Sequence, residues 1–290
     1  MNSPYFEDLL RTATSKRTRS MTVCGQGSVP AVKAVLQALD MGVVQPIFCG
    51  IAFSEWIPEN ERLFPGANVE EAKRQALELT IRGEVDIYLD TDPLSFSLLQ
   101  LVSEKGVLDK RVASYVSICE LPGENRLTLM TDTLVNSAPD LKDKIAVLEN
   151  AISAAAALGI QEPKIAALAP LELVNPAIRS TVDAAILSKM SQRGQFGNAI
   201  VEGPLAMDNA ESAAAAKHKG IQSPVPGDVD IYFFPDIESA NITAQFLSWV
   251  FRARFAGILA GARVPMVVES PLEKGDSWLV NIALAVLMCG

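Results

Sequence analysis

A chain of 290 residues, 49% hydrophobic and 20% charged, is long enough for two compact domains and is neither disordered nor fibrous. Acids outnumber bases 34 to 25, a formal charge of −9, which disfavours broad binding to a nucleic-acid backbone or an anionic membrane. The one histidine, His218, excludes a metal site built on two histidines of the chain, and Cys24, Cys49, Cys119 and Cys289 form no CxxC, so they read as buried small hydrophobes in a reducing compartment.

Met1–Ser20 mixes acids and bases without the apolar core of a secretory signal. Thr22–Cys24, Ile47–Cys49, Val85–Leu89, Val112–Ile118 and Leu127–Met130 are expected as buried strands. Between them Ser28–Leu39, Val69–Arg82 and Leu94–Glu104 are expected as helices. In the first, Val32, Val35, Leu36 and Leu39 fall on one face; in the second, Glu70 and Glu71 suit a helix start. Leu141–Leu158 reads as a long helix that Gly159 ends. Then come strands at Ile165–Leu168, Ala199–Val201, Ile231–Phe234 and Met266–Val268, with helices at Thr181–Ser191, Asp208–Lys219, Asn241–Arg254 and Asp276–Met288. The longest apolar stretch, Trp278–Cys289, is shorter than the roughly 20 residues that span a bilayer. A cytoplasmic protein follows as the default. Strands alternating with helices imply right-handed crossovers, mainly parallel sheets, and sites at the carboxyl ends of strands. The Thr131–Pro139 segment is the expected crossing point between domains.

Four strand-end loops could carry chemistry. Cys24-Gly-Gln-Gly-Ser28 has two glycines that let backbone approach a ligand, but it lacks the third glycine of a dinucleotide fingerprint and the acid on the next strand. A tight turn with Ser28 as helix cap accounts for it. Glu202-Gly-Pro-Leu-Ala-Met-Asp-Asn209 and Phe234-Pro-Asp-Ile-Glu-Ser-Ala-Asn241 each combine a strand tip with a helix start. Ser239 and Asn241 can donate to an anion, and Asp208 can cap a helix. Val268-Glu-Ser-Pro-Leu-Glu-Lys-Gly-Asp-Ser277 puts Ser270 at a strand tip with Asp276 or Ser277 capping the last helix. A hydroxyl and a carboxylate could pair there. His218 reads as a surface residue near a helix end, and Trp249, Phe251 and Phe255 as core.

An ordered set of segments resembles the phosphate acetyl/butyryl transferase family, the phosphotransacylases. It comprises Leu129-Met-Thr-Asp132 with Asn136-Ser-Ala-Pro139, Val174-Asn-Pro176, Thr181-Val-Asp-Ala-Ala185 with Ser188-Lys-Met190, Glu202 to Ala210, His218-Lys-Gly-Ile221, Pro235-Asp-Ile-Glu238 with Asn241, Gly257 to Pro265, and Ser270. Order and spacing hold from about Ala113 to the C-terminus, and the phosphate butyryltransferase branch is the nearest in pattern. The resemblance implies the reaction acyl-CoA plus phosphate to acyl phosphate plus CoA. CoA would be a substrate, with no tightly bound cofactor and no metal, and a homodimer is the expected assembly. It also implies two three-layer α/β domains, like those of the isocitrate and isopropylmalate dehydrogenases, with the active site in the cleft between them. The expected domains are residues 1–134 with 266–290, and 135–265.

By the same resemblance Ser270 is the oxyanion donor and Asp276 the base. Thr131, Asp132, Asn136, Gly203, Pro204, Asp236, Ser239, Asn241 and Arg263 line the substrate pocket. Three basic positions of the family pattern are neutral here: Pro271 follows Ser270, Gln245 follows Asn241 by four residues, and Gln100 lies on the helix after the third strand. One lost bidentate arginine contact typically costs about 1.5–3 kcal/mol. A family member that binds CoA or another metabolite without phosphate turnover is therefore an alternative reading, as is an enzyme using an uncharged acyl acceptor. Arg252 and Arg254, expected at a helix C-terminus, would be dipole-satisfying surface charges.

Overall fold

The computed structural model describes residues 4–290 apart from 51–52, 54–56, 58–61, 65–67, 105, 111, 122, 125 and 274–276, with backbone alone at 4 and 62–64. The chain clusters into two compact units, Met1–Ala113 with Arg254–Gly290, and Ser114–Ala253.

In the first unit, β1 (Arg19–Cys24), β2 (Val44–Cys49), β3 (Arg62–Phe64), β4 (Ile87–Pro93), β10 (Arg254–Ala260) and β11 (Met266–Glu269) form a sheet in the order β3-β2-β1-β4-β11-β10. Every pairing is parallel except the β10–β11 hairpin. The near-continuous burial of β1 and β4 is that of strands covered on both faces. Here α3 (Val69–Ile81) packs on β1, β2 and β4, while α10 (Ser277–Met288) packs on β10 and β11 and against α1 (Pro4–Thr14) and α2 (Val29–Asp40). The apolar α10 is buried almost all round. Its one buried amide, Asn281, accepts from Gly257 N–H at 2.8 Å and donates to Glu273 at 2.6 Å. Asn68 caps α3 through the Glu71 N–H at 2.9 Å. Ser28 is the N-cap residue of α2, yet its side chain makes no cap bond. The helix after β4 is α4 (Phe96–Glu104).

In the second unit, β5 (Ser114–Glu120), β6 (Leu127–Thr131), β7 (Lys164–Leu168), β8 (Ile200–Leu205) and β9 (Ile231–Phe233) lie in the order β5-β6-β9-β7-β8, parallel except for β5–β6. Helix α5 (Leu141–Ala157) starts with a capping box between Asp140 and Asp143, and Gly159 follows its end at φ 86°, a conformation glycine adopts without cost. Helix α6 (Arg179–Gln192) packs on β7 and β8. The border strand β8 is blunted. Val201 N–H donates to Ser191 Oγ at 3.0 Å, Gly203 N–H donates to Glu202 Oε1 at 3.1 Å, and Pro204 has no N–H.

Several expectations differ from the structure. The units divide at 113/114 and 253/254, rather than at 134/135 and 265/266. The reason is pairing: β5 pairs with β6 and β6 with β9, whereas β10 is bound to β11 by a hairpin. The Thr131–Pro139 segment consequently lies inside the second unit. The expected helix Asn241–Arg254 is α9, Ile237–Trp249, which begins earlier because Asp236 caps it. Arg252 sits beyond it at φ 59°, and Arg254 opens β10, stacked 5.1 Å from the Phe6 ring centroid. The expected helix Asp208–Lys219 is broken at Ser212 into α7 (Met207–Glu211) and α8 (Ala213–His218). His218 ends α8, exposed. Trp249 and Phe251 are 64% and 53% exposed, not core, whereas Phe255 is buried.

Gly203 is set by packing. A Cβ there would stand 2.7 Å from Ala167 Cβ and 2.8 Å from the Ala167 carbonyl oxygen. Gly203→Ala is expected to destabilise the second unit by about 1–3 kcal/mol through overpacking, read as a lowered denaturation midpoint in urea at unchanged m-value.

Candidate active site

The carboxyl edge of the first unit's sheet gathers three strand tips. After β1, Gly25 turns at φ 101°, and a Cβ on it would meet Thr91 Oγ1 at 2.5 Å and Asp90 Oδ1 at 2.6 Å. Only glycine allows this approach. The turn's amides are already bonded: Gln26 N–H donates to Asp92 Oδ1 at 2.8 Å, and Gly27 N–H to Thr91 Oγ1 at 2.9 Å. These two amides of the turn that leads into α2 are thus held by a carboxylate and a hydroxyl of β4. The glycine turn is a fastening between β1 and β4.

Behind it lies a buried charge cluster that the sequence reading did not single out. Lys73 Nζ stands 2.8 Å from Asp92 Oδ2 and 3.0 Å from Asp90 Oδ2, and Asp90 Oδ1 accepts the Asp92 N–H at 3.0 Å. The Lys73–Asp90 contact is ionic, without the alignment of a hydrogen bond. Burial pushes the Asp90 carboxyl up, and Lys73 and the Asp92 amide only partly offset it, leaving it at about 6. Burial also works against the Lys73 ammonium, yet Asp90 and Asp92 together hold its pKa above the ordinary lysine value. The signal was present: Lys73 falls among Ala72, Ala76, Leu77 and Thr80 on the buried stripe of α3, where a charge requires a buried partner.

Ser270 follows β11 at the same edge. It is 2% exposed, and its Oγ accepts the Leu272 N–H at 3.2 Å. The residue before it is tied to the end of β4, since Leu94 N–H donates to the Glu269 carbonyl at 3.1 Å. Arg263 does not share this edge. It lies exposed on the β10–β11 turn, at the amino end of β11, because the hairpin reverses the chain there. Asp276 lies outside the described residues. Pro271 is exposed in the turn after Ser270, and Gln100 donates to Glu104 at 2.7 Å on the surface of α4.

In the second unit the tips of β6 and β9 bring six expected residues together. The Asp132 carboxylate accepts the N–H groups of Tyr115, Leu134, Val135 and Asn136 at 2.9–3.1 Å, and the Asn136 amide at 2.5 Å. Burial raises its pKa, and those donors only partly offset the effect. Asp132 is thereby the organiser of the loop. Thr131 is fully buried, with Oγ1 lacking a hydrogen-bond partner among the described residues. Across the tip, Asn241 donates to the Thr133 carbonyl at 3.0 Å and accepts from Gln245 at 2.5 Å. Asp236 caps α9 through Ser239 N–H, and Ser239 Oγ donates to the same carboxylate, both at 2.8 Å. Gly203 and Pro204 are separate from this group: they are buried in β8, with β7 intervening before β9.

The motif residues between these loops form a latch. Lys219 bridges Glu172 at 3.2 Å and Asp208 at 3.1 Å, and Asn209 donates to Glu172 at 3.4 Å. Asp208 is in the first turn of α7, whose N-cap is Ala206. Among the described residues no group of three or more His, Cys, Asp and Glu is placed to hold a metal ion, and no helix is long and apolar enough to cross a membrane.

The Asp90 shift fixes a pH dependence. The native state holds the Asp90 proton more tightly than the unfolded chain, whose ordinary value is near 3.8, so the resulting stability is present at low pH and lost as pH rises through about 6. In urea titrations, the stability of the wild-type chain relative to Asp90→Asn is expected to fall between those two pH values and to level off above them. A difference independent of pH would contradict the buried titration.

Comparison with known proteins places these loops in one family. The family described as phosphate acetyl/butaryl transferase matches residues 97–286. The phosphate butyryltransferase of Clostridium acetobutylicum is 33% identical over 295 residues, covering 98% of each chain. The phosphate acetyltransferase of Thermotoga maritima is 33% identical over 293 residues, covering 98% of this chain and 99% of its own. Among solved structures, a branched-chain phosphotransacylase from Enterococcus faecalis V583 superposes with a TM-score of 0.79 at 28% identity, over 93% of this chain and 98% of that one. With a family match across most of its length and near-complete coverage by relatives of this identity, the chain belongs to the phosphate acetyl/butyryl transferase family.

Proposed function

We propose that the protein transfers a short acyl group between CoA and inorganic phosphate. The observation that carries this reading is the 33% identity, across 98% of the chain, to a phosphate butyryltransferase. In the proposed reaction a phosphate oxygen attacks the thioester carbonyl carbon, the carbonyl becomes an oxyanion, and the C–S bond breaks to release CoA thiolate. Ser270 Oγ–H would donate to that oxyanion. Asp276 would exchange a proton with the CoA sulfur: as the acid it protonates the leaving thiolate, and in reverse it takes the thiol proton. Thr131, Asn136, Ser239 and Asn241 are assigned to the phosphate and acyl groups, and the unpaired Thr131 hydroxyl supports that assignment. Asp132 and Asp236 act by positioning, since their carboxylates collect backbone N–H groups. Gly203 and Pro204 complete the assigned substrate set through the shape of β8, whereas Arg263, at the opposite edge of the first unit's sheet from Ser270, is left out of it.

A second reading is a family member that binds CoA without phosphate turnover. It is favoured by the neutral side chains at Gln245 and Gln100, which are engaged with Asn241 and Glu104, and by Pro271 after Ser270. We further propose a homodimer formed through α9. Its Ile242, Phe246 and Trp249 are 69%, 53% and 64% exposed, and Val250 and Phe251 extend this apolar surface, which suits a self-complementary contact. The four free cysteines suit a reducing compartment, and we place the protein in the cytoplasm.

Thiol release from acetyl-CoA through butyryl-CoA, with and without phosphate, tests the reaction. Phosphate-dependent turnover is expected, and Ser270→Ala is expected to lower kcat by about 10²–10³-fold. Calorimetric CoA binding with no such turnover would establish the second reading instead. For the assembly, light scattering should show a dimer for the wild type and a monomer for Phe246→Glu; an unchanged mass would remove α9 from the contact.

A further inference from the structure

The second unit holds a guanidinium in place and leaves its outer face unused. Arg179 is the first residue of α6, and its side chain is 71% exposed. Its Nε donates to Asp183 Oδ1 at 2.7 Å, and Asp183 Oδ2 accepts from Lys144 Nζ at 2.8 Å. Asp183 and Lys144 are both buried. The carboxylate, anchored from α5, thus sets the plane of the guanidinium, while neither Nη group of Arg179 has a partner among the described residues.

The stability of α6 gives no reason for an arginine there. The macrodipole disfavours a cation in the first turn, and a base placed four residues before an acid is the weaker order for such a pair. An anion on the outer face does give a reason, because the free fork matches phosphate oxygens two at a time and little freedom is lost on binding. The charges agree. Lys144, Asp183 and Arg179 leave one positive charge in excess, whereas Lys219 is shared by two acids, Glu172 and Asp208. Lys142, in the first turn of α5, is also exposed, but no carboxylate orients it as Asp183 orients Arg179.

The same carboxylate places Arg179 beside the loops assigned to the phosphate and acyl groups. A hollow of about 10 Å³, room for a single water, lies between Lys144, Ser180 and Asp183 on the helices and Phe233 and Pro235 at the tip of β9. Pro235 leads into Asp236, whose carboxylate holds the amide and hydroxyl of Ser239. Ser180, half-buried next to Arg179, has a hydroxyl with no partner among the described residues.

We propose that Arg179 grips the phosphate of the reaction, inorganic phosphate in one direction and the phosphoryl group of the acyl phosphate in the other, supplying the bidentate cation that Pro271, Gln245 and Gln100 do not. The assignment rests on the acyl-transfer reading above and adds to it the residue that recognises the acceptor.

Steady-state kinetics of Arg179→Gln, with phosphate and butyryl-CoA varied separately, and calorimetric phosphate binding test it. Arg179 is exposed, so the variant should keep its fold. The KM and Kd for phosphate should rise about 10- to 100-fold, while the KM for butyryl-CoA stays within about twofold. Unchanged phosphate constants overturn the assignment. So does a rise confined to butyryl-CoA, which would give the guanidinium to the phosphates of CoA. If the variant does not fold, phenylglyoxal labelling of the wild type decides: phosphate should shield Arg179, and labelling at an unaltered rate overturns the assignment. A wild type that turns over and a variant that matches it remove Arg179 and leave acyl transfer standing. A wild type that binds phosphate without turnover, with binding weakened in the variant, keeps Arg179 and sinks the acyl-transfer reading.

Discussion

The ammonium of Lys73, enclosed between Asp90 and Asp92, governs the carboxyl edge of the first unit. Asp90 is fully buried and Lys73 nearly so, and neither charge could be held at that depth without an opposite partner. Asp92, fixed on one side by the ammonium, uses its other oxygen to hold the Gln26 amide, so the cluster reaches the β1 turn. Thr91 completes that link by accepting from Gly27 and donating to the Cys24 carbonyl. From the end of β4 the order passes to the strand tip that carries Ser270. The second unit uses a comparable device at Asp132, where one carboxylate gathers four backbone amides and shapes the segment from Thr131 to Asn136.

These carboxylates explain a feature that composition alone leaves puzzling. Helix starts and glycine turns attract anions, and a phosphate-handling protein would be expected to leave some of them vacant. Here several are satisfied internally: α2's approach turn by Asp92, α9 by Asp236 and α5 by Asp140. Internal satisfaction makes the loops rigid and restricts where an external anion can settle. The neutral residues at Gln100, Gln245 and Pro271 act in the same direction, since none of them adds positive charge to these loops.

Much of this was readable in the residues. The alternation of short β-rich runs with apolar-striped helices gave the α/β class, and the acids Glu70 and Glu71 and the glycine Gly159 marked helix ends that the structure reproduces. The ordered loops from Leu129 to Ser270 identified the family. What escaped has physical reasons. The strand Arg254–Ala260 went unassigned because, buried along nearly its whole length, it is short of alternation, and the expected helix ran on to its first residue. Trp249 and Phe251 were assigned to the core on hydrophobicity, yet pattern cannot say what covers a helix face. The Lys73 cluster joins residues from separate elements, and linear spacing carries no trace of such a meeting beyond one lysine on an apolar stripe. Arg263 illustrates the converse: a basic residue close in sequence to Ser270 lies at the other end of the same strand, because direction along a strand decides which edge a side chain serves.

The capped margin of β8 bears on how copies of this chain can associate. With the amides of Val201 and Gly203 engaged by Ser191 and Glu202 and an imino acid at residue 204, that margin offers few free amides on which a foreign segment could extend the ladder. Accretion by main-chain zippering is disfavoured on that side. Side-chain surfaces are thereby left as the greater part of what that margin presents.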